Sequence, residues 1–165
     1  MPTDEYAHWQ GLTIRRPDDV RTIQGGPVPL GWKAEKHGEH ADRLGNNILP
    51  ADFPHEVERG DAGDALAVLA LGTAIVRDIG YGRGVRVREA VELGATWSQI
   101  GAALDITPDE ARELLRTWAA GQHHLYEGDV LAGRERPLGL DADRYMALVA
   151  MCELGDDEAA VAGAR

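Results

Sequence analysis

Apolar residues fall into a helical register from about residue 61 onward and show little periodicity before it. Asp61 is placed to cap a helix reaching Ile79. Leu66, Leu69, Ala70, Thr73 and Val76 lie along one face of that helix, and Val68, Leu71, Ile75 and Ile79 along another. A helix apolar on two faces is expected to be central or to lie at an interface, so residues 61–79 are the expected surface of a homodimer. Gly80-Tyr81-Gly82-Arg83-Gly84 reads as a flexible connector, because its glycines lack the spacing and the preceding strand of a phosphate-binding loop. Val87, Ala90 and Val91 then predict a short helix over 85–93, with Gly94 where a left-handed cap falls. Residues 123–136 are polar. A last helix is expected from about Asp141 to Gly155, with Tyr145, Leu148, Val149 and Cys152 on one stripe, followed by an acidic tail over 156–165 that frays beyond Asp156.

Turn-forming clusters dominate residues 1–60, at Arg16-Pro17-Asp18, Gly25-Gly26-Pro27-Val28-Pro29, Asn46-Asn47 and Pro50. This stretch is expected to be an irregular, loop-rich segment that Trp9, Trp32, Ile48, Leu49 and Phe53 anchor to a helical body. The fold class expected for the chain is all-α: one small helical domain over 61–155 with a loop-rich N-terminal segment.

Two helix starts stand eleven residues apart in the middle of that domain. Thr96-Trp97-Ser98-Gln99 and Thr107-Pro108-Asp109-Glu110 both have the form of a capping box, and the second carries proline at the first helical position, where its missing N–H costs nothing. The first helix therefore has room for little more than two turns before a turn of about three residues. Ile100, Leu104, Ile106, Ala111, Leu114, Leu115 and Trp118 fall where two crossing helices bury side chains, and Gly101 permits their close approach. This is the spacing of a helix-turn-helix over 96–119.

The stretch ELGATWSQIGAALDITPDEARELLRTW resembles the helix-turn-helix segments of bacterial regulators and of the promoter-reading region of sigma factors, a form common in actinobacterial proteins. The resemblance covers about residues 85–119 only. Where the pattern usually has glycine in the turn, this chain has Asp105, which tolerates a left-handed backbone better than most residues. The resemblance implies that the second helix is a recognition helix and that double-stranded DNA is a partner. It places Thr107, Arg112, Arg116 and Thr117 on the exposed face and lets Arg83, Arg86 and Arg88 add phosphate contacts. Arg112 and Arg116, four apart on one face, suit guanine edges or phosphates.

Charge opposes a simple DNA reading. The chain carries 17 basic and 28 acidic residues, a net charge of -11, and Asp109, Glu110 and Glu113 share the second helix with the two arginines. Two functions follow as expectations. One is a non-enzymatic DNA-binding regulator, dimeric because a single short recognition helix seldom binds tightly enough. The other is an acidic protein-interaction module that uses the same shape to dock a protein partner.

Nothing in the sequence favours an enzyme or a cofactor. Gly38 opposes a helix through His37-Gly38-Glu39-His40, so no metal site is expected there, and His123-His124 are adjacent residues pointing in different directions. The single Cys152 sits on an apolar stripe with no base beside it and is expected to be buried and inert. One cysteine and no basic-plus-apolar leader suggest a reducing cytoplasm. The longest uncharged run, Ala65 to Val76, is too short to cross a membrane.

Overall fold

In a computed structural model that describes residues 2–161, the chain is all-α, with no strand among the described residues. The helices are α1 (Pro2–Gly11), α2 (Leu30–Gly45), α3 (Ala62–Glu92), α4 (Trp97–Leu104), α5 (Pro108–Leu131) and α6 (Ala142–Met151). The chain divides into two compact units, Met1–Gly80 and Tyr81–Arg165, with the boundary inside α3. No helix among the described residues is long and apolar enough to cross a membrane.

The first unit corrects the expectation of an irregular N-terminal segment, since residues 1–60 hold α1, α2 and two short 3-10 turns. The buried side of α2 explains why it escapes pattern reading: two of its positions are lysines. Lys33 is buried and pairs with Asp78 of α3. Lys36 is buried as well, and its ammonium donates to the carbonyls of Trp9, Gln10 and Leu12 at 2.7, 3.0 and 2.8 Å, closing the free carbonyl end of α1. It also lies 4.9 Å from the centre of the Trp9 ring. Burial pushes the Lys36 pKa down, and the three carbonyl acceptors are what make a cation tolerable there. Trp9, Ile14, Val20 and Val28 pack on Ala67, Ala70, Leu71 and Ala74 of α3, with Trp32 partly buried against them. Of the expected anchors, Ile48 is instead 88% exposed.

Asp61 does cap α3. Its carboxylate accepts from the N–H of Asp64 at 2.9 Å, and the Asp64 carboxylate accepts from the N–H of Asp61 at 3.0 Å. Neither expected face of 61–79 is buried as a whole, since Ala70 of the first and Leu71 of the second are buried while Leu66 of the first and Ile79 of the second are exposed. Small residues, with Leu71, make the buried side, while Leu66, Leu69, Val76 and Ile79 stay exposed.

The expected connector at Gly80–Gly84 is helical, and α3 continues without a break into the residues expected to form a separate helix. Three glycines cost a helix roughly 3 kcal/mol relative to alanine, but one of them is required. A Cβ on Gly84 would stand 2.2 Å from Cγ of Trp118, so only glycine lets that indole lie against the helix backbone.

In the second unit, Gly94 ends α3 at a φ of +95°. The Thr96 and Thr107 hydroxyls accept from the N–H groups of Gln99 and Glu110 at 3.2 Å each, so both predicted helix starts are present. Asp105 takes the left-handed conformation at φ 55°. α4 and α5 pack on each other, with Val87, Val91, Trp97, Ile100, Ala111, Leu115 and Cys152 forming the core. A Cβ on Gly101 would meet the carbonyl of Ile106 at 2.8 Å, which accounts for glycine at that approach.

α5 runs twelve residues past the expected end at 119, because its polar second half has partners. Buried Asp129 accepts from the N–H of Leu138 at 2.9 Å and pairs with Arg134, and His123 reaches the carbonyl of Leu140 and stacks on Tyr145. α6 begins where predicted, capped by Asp141. The last four residues of the expected acidic tail lie outside the described residues.

Candidate functional site

The turn from Asp105 to Thr107 joins an eight-residue helix to the start of α5, and this is where the sequence places its functional residues. Arg112 is the main correction. It was expected on the outward face, but it is only 8% exposed. Its guanidinium donates to Asp109 at 2.7 Å, to the carbonyl of Leu154 at 2.9 Å and to Asp156 at 2.5 Å, and lies 5.6 Å from the Trp97 ring centre. These groups surround the cation because the chain after α6 folds back over α4, where the N–H of Ser98 donates to the carbonyl of Asp156 at 2.8 Å. The hydrogen bond to Asp156 holds the guanidinium pKa above its usual value. Arg112 is thus a structural tie that offers no free donor face to a ligand.

Arg116 is half-buried and donates to Glu153 at 3.0 Å, with Glu113 3.9 Å away. Thr107 spends its hydroxyl and its N–H on Glu110, whose carboxyl is held below the usual range by those bonds. Thr117 is exposed, and its hydroxyl reaches toward Glu113 at 3.4 Å. The exposed carboxylates along the first turns of α5 are Asp109, Glu110 and Glu113.

The three arginines of α3 separate by helical phase. Arg83 and Arg86, about 60° apart around the axis, are exposed. Arg88 faces another way, lying over the Trp118 ring at 5.4 Å with Glu92 3.6 Å from its Nε. Arg86 pairs with Glu89 at 2.6 Å. Arg83 makes no ion pair or side-chain hydrogen bond to any described residue. Both Arg83 and Arg86 edge an apolar pocket of about 240 Å³ between the second half of α3 and α4, floored by Val87, Ala90, Ile100 and Leu104. Sequence reading missed this pocket, whose small residues at 90, 95 and 103 give no periodic signal of a cavity.

A second polar cluster, in the first unit, was also missed. Asp64 lies 2.6 Å from Nδ1 of His40 and accepts from Arg43 at 2.8 Å. Bonds from His40, from the N–H of Asp61 and from Arg43 hold the Asp64 carboxyl far below the usual carboxylate range. The cluster has the orienting half of a catalytic dyad, but no hydroxyl, thiol or amine is hydrogen-bonded to His40 among the described residues, so its evident work is to tie α2 to the start of α3. His37, three residues away, does not join it. No group of three or more His, Cys, Asp or Glu suited to a metal occurs among the described residues. Cys152 is buried, and burial pushes its thiol pKa up.

When the chain is compared with known proteins, no family model, curated protein or solved structure matches it.

Proposed function

We propose that the chain is a non-enzymatic protein-docking module in which α4, the Asp105–Thr107 turn and the start of α5, together helix-turn-helix in shape, present an acidic helix face to a basic partner. The observation that carries this reading is the internal use of both recognition arginines. Arg112 and Arg116 are held by Asp109, Asp156 and Glu153, and along the first turns of α5 the carboxylates of Asp109, Glu110 and Glu113 are more exposed than either guanidinium. A duplex approaching that face meets like charge, whereas a lysine-rich helix meets its complement.

A DNA-binding regulator is the second reading. The three-residue turn and the exposed Arg83 and Arg86 favour it. In either reading the exposed Leu66, Leu69, Val76 and Ile79 of α3 support a homodimer, and the lone buried thiol suits a reducing cytoplasm.

One titration separates the readings. Fluorescence anisotropy with a mixed-sequence duplex and, in parallel, with a lysine-rich helical peptide is followed from about 50 to 200 mM salt. Docking predicts that the peptide binds, that Asp109→Asn with Glu113→Gln weakens it, and that DNA does not bind at the lowest salt. Steeply salt-dependent DNA binding that Arg83→Ala with Arg86→Ala abolishes overturns the docking reading in favour of the regulator.

A further inference from the structure

In a chain of net charge -11, most cations of the described residues are held by a carboxylate or by backbone carbonyls, and Arg77, Arg83 and Arg136 are the ones that are not. Arg77 borders a shallow apolar pocket by itself, whereas Arg83 borders a more enclosed one that no carboxylate lines and that has a second guanidinium, Arg86, at its edge. A guanidinium without an internal partner beside an apolar pocket complements a small molecule with an anionic head and a hydrocarbon body. We propose that the pocket between α3 and α4 is a binding site for a medium-chain carboxylate, with the chain against Val87, Ile100 and Leu104 and the carboxylate on Arg83, Arg86 standing beside it.

Size limits the occupant: a pocket of about 240 Å³ has room for a short hydrocarbon body such as that of octanoate. It is too small for a whole helix. Guanidinium geometry selects a carboxylate over a neutral head, since its parallel N–H groups meet both oxygens. The pocket lies on α4, so an occupant would press on the helix that precedes the Asp105–Thr107 turn.

Three probes test the proposal on the full chain: octanoate, 1-octanol and acetate, each followed by isothermal titration and by amide chemical-shift mapping. Octanoate should saturate one site and shift amides within residues 83–104. Acetate should fail for want of a hydrocarbon body, and octanol should bind about three- to fivefold more weakly for want of a charge that an exposed ion pair rewards to about that extent. Arg83→Gln should bring octanoate down to the octanol level. Ala103 lines the pocket at an exposed position, so Ala103→Leu fills the cavity without loading the core and should abolish binding while circular dichroism stays unchanged. Failure of octanoate to saturate, binding that survives Ala103→Leu, or octanol binding as tightly as octanoate each overturns the proposal. Ala90→Leu, filling the floor instead of the mouth, repeats the cavity test independently.

Discussion

Replacing Arg112 by alanine separates a structural arginine from a ligand-binding one. The guanidinium makes one charge-assisted bond to the carbonyl of Leu154, worth about 1.5–3 kcal/mol. Its carboxylate partners are largely exposed, Asp109 at 93% and Asp156 at 57% of the side chain, so each pair is discounted to at most about 1 kcal/mol. Contact with the Trp97 ring adds about 0.5–1 kcal/mol, and packing of the buried stem adds more. Since these terms are not independent, the expected loss is about 3 kcal/mol. In a chain of 165 residues that corresponds to a drop in Tm of about 6–12 °C. An arginine serving only an external ligand costs within about 0.5 kcal/mol when truncated. Urea unfolding followed by tryptophan fluorescence measures the difference, and a loss below about 0.5 kcal/mol refutes the structural role. One corollary concerns assay design: lost DNA binding in Arg112→Ala would report damage to the fold, so Arg83 and Arg86 are the informative positions.

Three further outcomes follow from the packing. Lys36→Met leaves three carbonyls at the end of α1 without their donor and should cost about 2–4 kcal/mol in urea unfolding, whereas a neutral result removes the capping role. Gly84→Ala drives a Cβ into Trp118 and should destabilise by about 1–2 kcal/mol net of its helix-propensity gain, while Gly80→Ala and Gly82→Ala, which meet open space, should each stabilise by up to about 1 kcal/mol; equal signs at all three positions contradict the packing. The depressed Asp64 pKa contributes stability that is complete above the ordinary value of 3.8 and is lost as pH falls from there through the folded-state value, so the urea midpoint should fall in that acid window and fall less in Asp64→Asn.

The parts legible in the sequence are those fixed by local chemistry. Thr96, Thr107 and Asp141 announce helix starts through side chains that bond three residues ahead, and Gly94 and Asp105 announce stops through a backbone sign. What stayed hidden depends on residues far apart in sequence. α2 reads as polar because two buried positions are lysines, whose partners lie 24 to 45 residues away. Gly84 reads as a breaker until Trp118, from the next helix but one, is laid against it. Arg112 reads as exposed by helical phase, and only the return of the chain after α6, 42 residues on, covers it. Local patterns set where helices begin, and tertiary contacts decide which polar residues remain free.

Cys152 offers a different use of the same packing. It is the sole thiol of the chain, 2% exposed, with its sulfur 3.9 Å from the carbonyl of Arg112. A thiol reagent in excess can reach it only while the contact between the end of α6 and α5 is open, so the labelling rate is proportional to the open population when opening and closing are fast. The native chain therefore contains its own chemical clock for excursions of that contact, readable by mass spectrometry with no introduced probe. A partner or ligand that clamps α5 against α6 would slow it.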